Sequence, residues 1–281
     1  MELASRSTGM DTTKPRKAVA LVAFFALASA LGWPARADQS NEALAKAAQN
    51  PVANLISVPF QDNINFNYGP EEKTQNVLNI QPVIPVSLGS DWNLITRTIL
   101  PVISQPGFFP GEGRTNGIGD TQFTAFLSPA KAEGLVWGAG PILQLPTNND
   151  KVLGNDRWGL GPSAVVLRIQ GHWVYGALAN NLWSVSSSHS DPSYNKFLLQ
   201  PFINYNFAGG LYLSSAPIIT ADWKADSGDR WTVPLGGGVG KIVRLGKLPV
   251  NFQTQLFRNI EKPEFGPNWT WRLQAQLMFP K

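Results

Sequence analysis

The stretch 196-KFLLQPFINYNFAGGLYLSSAPIITADW-223 decides how the rest of the chain is read. Phe197, Leu199, Pro201, Ile203, Tyr205 and Phe207 share one parity; Gln200, Asn204 and Asn206 share the other, with Leu198 and Phe202 breaking the pattern. Alternation with period two marks a strand, because successive side chains leave opposite faces of a pleated backbone. Two architectures fit it. A soluble sandwich packs the apolar face inward, whereas a membrane barrel turns that face to lipid and lines a lumen with the polar one. The choice between them rests on the remaining sequence.

The N-terminus points to export. Lys14, Arg16 and Lys17 precede the apolar run Ala18 to Trp33, and Ala35-Arg36-Ala37 follows. A basic segment, an apolar segment and a small-residue site are the three parts of a secretory signal peptide, here residues 1–37 with cleavage after Ala37. Translation could start at Met1 or Met10. The apolar run is short for a membrane anchor. Removal of residues 1–37 takes away five basic and two acidic residues, so 23 and 19 become 18 and 17 and the net charge falls from +4 to +1. No concentrated basic patch remains, which argues against a nucleic-acid partner.

After Ala37 no apolar run is long enough for a transmembrane helix. The chain has no cysteine, so disulfides and thiolate metal sites are excluded. Residues 38–53 read as a polar, alanine-rich leader on the periplasmic side, either a short helix or a mobile segment. Residues 54–281 then break into pieces of about ten residues, the length a tilted membrane strand needs. They include Ile56 to Phe66, Val77 to Leu88, Trp92 to Val102, Asp120 to Ser128, Leu135 to Leu145, Trp158 to Ile169 and Trp173 to Val185. The opening pair, Trp231 to Ile242, Leu248 to Asn259 and Trp269 to Phe279 complete the set. The fold class expected is all-β: a single antiparallel up-and-down transmembrane barrel of about 12 strands.

Connections and tryptophans carry the same message. Short GSD, PAKAEG, QGH, AGG and VRLGK turns alternate with longer loops such as SQPGFFPGEGRTNGIG and PTNNDKVLGNDR. That is how outer-membrane barrels place their periplasmic turns and external loops. Trp92, Trp158, Trp173, Trp183, Trp223, Trp231 and Trp269 lie at strand ends, where an aromatic girdle meets the lipid–water boundary. The last strand, WTWRLQAQLMF, looks like the C-terminal signal read by the barrel assembly machinery, although Pro280 and Lys281 follow its final aromatic. Outer-membrane lipid and that machinery are the expected partners, with an unknown small solute.

The polar parity predicts the lumen: Gln61, Asn63, Asn79, Gln81, Arg97, Gln122, Gln200, Asn204, Asn251, Gln253, Gln255, Arg272 and Gln274. Neutral amides dominate, with Arg97 and Arg272 the charges well inside strands. Such a wall suits passage of small neutral or weakly charged solutes. The alternative is a narrow barrel whose own side chains fill it and pass nothing. Phe108 and Phe109 in the loop GFFPGEGRTNG are candidates for a gate at the mouth. Asp62 lies on the apolar parity, which suggests a bulge resetting the register; Arg258, also on that parity, suits the interface.

Catalytic and metal motifs fail on inspection. The two histidines, His172 and His189, fall in a turn and a loop rather than on the wall, so no lipase pair forms. LGGGVGK, Leu235 to Lys241, lacks the first glycine and the Ser or Thr of a phosphate loop. NNDKVLGND, Asn148 to Asp156, misses the spacing of a calcium loop and reads as a polar turn. No enzyme, cofactor or metal is expected.

The blocks NPVANLISVPFQDNINFNYGP, TQNVLNIQPVIPVSLGSDWNLITRTILPVISQP, GIGDTQFTAFLSP, GPSAVVL, LLQPFINYNF and DSGDRWTVPLGGGVGK resemble a widespread group of uncharacterised proteobacterial outer-membrane proteins. These are described as candidate transporters, near the barrels linked to phenol meta-pathway degradation. The resemblance runs over essentially the whole chain after residue 37. It implies the barrel and an outer-membrane location, with transport of small, in some cases aromatic, compounds. It supplies no functional residues to carry over.

Overall fold

The computed structural model describes residues 35–131, 134–185 and 192–280, with the side chains of its first helix described from Asn41 on. The signal segment up to residue 34 and His189 lie outside these residues. Helix α1 (Ala35–Ala48) leads into fifteen strand segments. They are β1 (Ile56–Tyr68), β2 (Lys73–Ile80), β3 (Val83–Leu88), β4 (Trp92–Gln105), β5 (Thr115–Ile118), β6 (Thr121–Pro129), β7 (Leu135–Leu145) and β8 (Gly159–Gln170). There follow β9 (Trp173–Ser184), β10 (Asn195–Asn206), β11 (Leu211–Ser215), β12 (Ile219–Asp222), β13 (Trp231–Leu245), β14 (Leu248–Glu261) and β15 (Trp269–Phe279).

All pairings are antiparallel, and each stave pairs with the next in sequence. The ring closes where β1 meets β15, from Ile56 opposite Phe279 to Phe66 opposite Trp269. Three staves are interrupted. Gln81-Pro82 separates β2 from β3, Gly119-Asp120 separates β5 from β6, and residues 216–218, including Pro217, separate β11 from β12. Proline has no N–H for the ladder, which suits the breaks at Pro82 and Pro217, although other staves carry one without interruption, as β8 does at Pro162. Each interrupted pair counts as one stave, and the fold is a closed twelve-stranded barrel. The boundaries of β7 and β15 match the alternation in the sequence residue for residue.

Alternation decides what each strand buries. In β8, Gly159, Gly161, Ser163, Val165 and Leu167 are buried while Leu160, Pro162, Ala164, Val166 and Arg168 are exposed. In β10, Ile203 is 48% exposed beside Asn204 at 4%. The barrel therefore wears its apolar residues outside, which is stable only against lipid. Two-residue turns join β8 to β9 and β13 to β14, with Gly171 (φ 55°) and Gly246 (φ 62°) in the left-handed region such hairpins need. Both described chain ends and the two-residue turns lie at one end; the longer loops lie at the other, with the four-residue β1–β2 turn among them.

Asp62 overturns one expectation. The β1–β15 register runs through it without a bulge; Asp62 stands opposite Leu273 and Leu78, on the outer face, and accepts a hydrogen bond from Asn76 Nδ2 at 2.7 Å. The irregularity in β1 lies further on, between Asn65 and Tyr68. A polar pair on the lipid face trades hydration for one hydrogen bond, which costs stability. Replacing Asp62 and Asn76 together by leucine is expected to stabilise the folded barrel by about 1–2 kcal/mol, read from urea unfolding in lipid vesicles. Arg258, outward near the end of β14, stacks its guanidinium 5.6 Å from the Trp269 ring. It sits where the long-loop rim meets the belt, as its position in the sequence suggests.

Candidate functional site

Inside the barrel, toward the short-turn end, lies a cavity of about 150 Å³. Of the residues predicted for the lumen, Gln61, Arg97, Gln200, Asn204, Asn251, Gln253, Gln255, Arg272 and Gln274 border it directly. Asn63 and Gln81 stand behind, accepting hydrogen bonds from Arg272 Nε (3.1 Å) and Arg97 Nη2 (2.5 Å). Asn79 is the cross-strand partner of Gln61. Gln122 is not among the cavity residues and donates to Gln144 Oε1 at 3.4 Å.

The amides are tied into chains. Tyr212 Oη donates to Asn251 Oδ1 (2.8 Å), Asn251 Nδ2 to Gln276 Oε1 (3.2 Å), and Gln276 Nε2 to Ser57 Oγ (3.1 Å). Gln253 and Gln255 both donate to Ser214 Oγ, at 2.9 and 3.0 Å. Nearer the long loops, Thr270 donates to Asn65, Asn65 to Gln75 and Gln75 to Gln105. A satisfied network of this kind holds each group in place, so the wall is preorganised. On β13, Gly236, Gly238 and Gly240 face inward opposite Phe257, Gln255 and Gln253, and Gly240 leaves space for the Tyr212 ring.

Half the lumen is apolar, which the parity count did not anticipate. Ile95, Phe126, Val165, Leu167, Val174, Leu178 and Phe202 point inward and pack together with Val52. The two residues that broke the opening alternation explain themselves here: Leu198 and Phe202 are on the inner face of β10, and Phe202 is 8% exposed. A strand with apolar residues on both parities was the available signal.

The floor of the cavity is the chain itself. Residues 47–51, Ala53 and Leu55 line it from the short-turn end. Ala45 is fully buried against Tyr212, Ile242 and Met278, with Leu55 in the same cluster. Gln49 and Asn206 exchange side-chain hydrogen bonds at 2.8 and 3.0 Å, and Arg244 Nε donates to Asn41 Oδ1 at 3.2 Å. Residues 38–53 thus comprise most of helix α1 and a docked extension after it.

Glu42 adds an electrostatic tie. It pairs with Lys46 at 2.8 Å and lies 3.5 Å from His172 in the β8–β9 turn. The hydrogen bond from Lys46, with the charges of Lys46 and His172, holds its carboxyl below the ordinary glutamate value against the opposing effect of burial. A depressed folded pKa contributes stability above the unfolded value of about 4.3, lost as pH falls through the folded one. Protection from hydrogen exchange at residues 41–49, relative to the intrinsic rate at each pH, is therefore expected to fall below pH ~4.3, and the Glu42→Gln variant is expected to lack that acid-dependent step.

At the long-loop rim the candidate gate divides. Phe108 packs edge-on against Tyr68 with centroids 5.5 Å apart, and Phe109 is 68% exposed. Glu112 accepts from the backbone N–H of both, at 3.0 and 3.1 Å, so the loop tip is pinned rather than loose. Trp92 and Trp173 mark the short-turn rim; Trp158, Trp183, Trp223, Trp231 and Trp269 mark the other. Sequence reading overlooked Trp137, which meets Trp92 at 6.0 Å, and Trp271, whose Nε1 donates to Thr254.

A closed antiparallel barrel of twelve staves with an apolar belt outside and a part-polar, part-apolar interior defines the class: the fold of bacterial outer-membrane barrels. No family model matches the sequence, and no curated protein matches it. Among solved structures the chain is similar to an outer membrane channel from Pseudomonas putida F1, at 22% identity and a TM-score of 0.62, over 82% of this chain and 96% of that one. It is also similar to the β domain of the Bordetella autotransporter BrkA (12% identity, 81% and 100% coverage, TM-score 0.49). A third is outer membrane phospholipase A from Escherichia coli (13% identity, 86% and 98% coverage, TM-score 0.45). The first likeness bears on the fold; the other two superpose too loosely to carry anything. Among the described residues no group of three or more His, Cys, Asp or Glu side chains could hold a metal ion.

Proposed function

We propose that this protein is an outer-membrane channel for small solutes, without enzymatic activity, whose periplasmic mouth is stoppered by its own N-terminal segment. The observation that carries this is the preorganised cavity: a space lined by amides, two arginines and apolar side chains, enclosed by a lipid-facing wall, with a floor made of a separate helix and its extension rather than of barrel strands. A wall must stay fixed, but a docked segment can leave. The short turns then face the periplasm and the longer loops the outside. Cleavage after Ala37 leaves residues 38–48 of α1 in the mature chain. The C-terminal strand delivers the chain to the barrel assembly machinery.

Single-channel recording on protein purified from membranes tests the reading. Small, reproducible current steps that fluctuate between a closed and an open level are expected. A folded, heat-modifiable barrel that never conducts would overturn it. The mass of the purified protein should correspond to a chain beginning at Asp38.

A second reading, a closed barrel acting through its external loops, is favoured by the apolar cluster around Phe126, Leu167 and Phe202. The same recordings separate the two.

A further inference from the structure

We propose that Arg97 and Arg272 form an anion-binding site in the lumen, and that it takes a small monocarboxylate with an apolar body. Both side chains border the one cavity. Arg272 is 6% exposed; its Nε donates to Asn63 Oδ1, its Nη1 to Ala216 O (2.9 Å) and Gln255 Oε1 (3.3 Å), and its face lies 4.9 Å from the Phe257 ring. Arg97 donates to Gln81 Oε1 alone. Every one of these acceptors is neutral. Among the described residues the ion pairs are Lys46–Glu42, Lys73–Glu71 and His172–Glu42, so neither lumenal arginine has a carboxylate beside it.

Two positive charges in a sleeve of low dielectric, without a counter-ion from the chain, are costly unless an anion comes from solution. Each guanidinium offers five donors in a fixed fork, and the bonds above leave several unspent on groups that face the cavity. The amides around them can orient an anion but cannot neutralise them. This asymmetry selects charge sign: an anion gains what a cation or a neutral isostere does not.

The opposite side of the cavity selects the rest of the molecule. Leu178 and Phe202, on β9 and β10, line it and offer no hydrogen bond, and Val83, the cross-strand neighbour of Arg97, adds an apolar group beside that arginine. A ligand that is anionic throughout would strip its hydration against that surface. One with a carboxylate at one end and hydrocarbon at the other satisfies both walls. The volume of about 150 Å³ sets the size, since it holds roughly ten water-sized spheres. Benzoate is the simplest probe of that shape and charge.

The proposal rests on solutes reaching the lumen, as the channel reading holds, and the test keeps the two apart. Binding is measured by calorimetry on the whole protein in detergent, with benzoate, benzamide and acetate. Saturable benzoate binding is expected, weaker by about tenfold for benzamide, which lacks the charge, and for acetate, which lacks the body. Arg97→Gln and Arg272→Gln should each weaken benzoate by about tenfold and leave benzamide unchanged. The comparison of ligands on the unaltered protein needs no variant to fold. Equal affinity for benzoate and benzamide, or unaltered benzoate binding in both variants, overturns the proposal. Benzoate binding in a barrel that never conducts would leave this site standing and remove the channel; conduction without any benzoate preference would do the reverse.

Discussion

Ala45→Asp is expected to unstopper the barrel. In the folded protein Ala45 has no solvent exposure and its methyl group lies among Tyr212, Ile242 and Met278. A carboxylate there would be set among apolar side chains, and Arg244 is already held by Asn41. An unpaired buried ion costs several kcal/mol, whereas docking rests on one small apolar cluster and a few hydrogen bonds worth about 1 kcal/mol each. The helix is therefore expected to leave rather than bury the charge. The twelve staves make no demand on α1 for their own ladder, so the barrel should remain heat-modifiable. Single-channel currents should then spend most of their time at the open level. Ala43→Asp, on the exposed face of the same helix, is the control and should behave as the unaltered protein does. Val52 is a second anchor, packed into the apolar lumenal cluster. Adding Val52→Asp should complete the opening if the extension stays behind when the helix goes. Currents unchanged in the double variant would mean that the floor is not the barrier.

That floor shows where sequence reading stops. Strand alternation, turn length and tryptophan placement were legible because the lipid imposes them on every stave alike. The outer face must be apolar at each position, so parity is a strong local signal. Nothing of that kind governs the inside. Phe202 and Gln200 share a face of β10, and both are admissible there, because a lumen can be lined by water-facing amides or by packed hydrocarbon. Which of the two occurs depends on what packs against it, here Leu178 on the neighbouring strand and Val52 of the docked extension, over a hundred residues away in the latter case. The arginines were legible as lumenal from parity alone, but their lack of acidic partners is a fact about three dimensions. Asp62 failed for a different reason. A rule that holds for most lipid-facing positions invites a bulge wherever it is broken, and the chain tolerates a single hydrogen-bonded polar pair instead. The glycines Gly236, Gly238 and Gly240 of β13, which make no phosphate loop, form an inward-facing trio beside Tyr212, Ser214 and Gln255.

Glycine also carries the second large effect, Gly161→Val, which is expected to prevent the barrel from forming. Gly161 is buried on the inner face of β8, and a Cβ added there would lie 1.6 Å from the carbonyl oxygen of Asn181 and 2.8 Å from its carbon. Those are backbone atoms of the neighbouring stave, so no rotamer change relieves the contact. Ordinary van der Waals separation would require β8 and β9 to part by well over an ångström. The ladder on either side, at Leu160–Trp183 and Ser163–Asn180, would then stretch past hydrogen-bonding distance. In lipid each unsatisfied backbone group costs several kcal/mol, and a barrel with an open seam has no alternative partner for them. The loss therefore exceeds the whole stability of an ordinary fold, about 5–15 kcal/mol, once a few such groups are exposed. Gly171→Ala is the contrast. Nothing lies within 4 Å of a Cβ at that turn, and the substitution costs only the left-handed backbone at φ 55°, about 1–2 kcal/mol. On a gel run with and without heating, Gly171→Ala should still show the compact folded band. Gly161→Val should show the unfolded band alone and fall to protease in membranes. A folded band for Gly161→Val would mean that β8 and β9 do not approach as closely as this register places them.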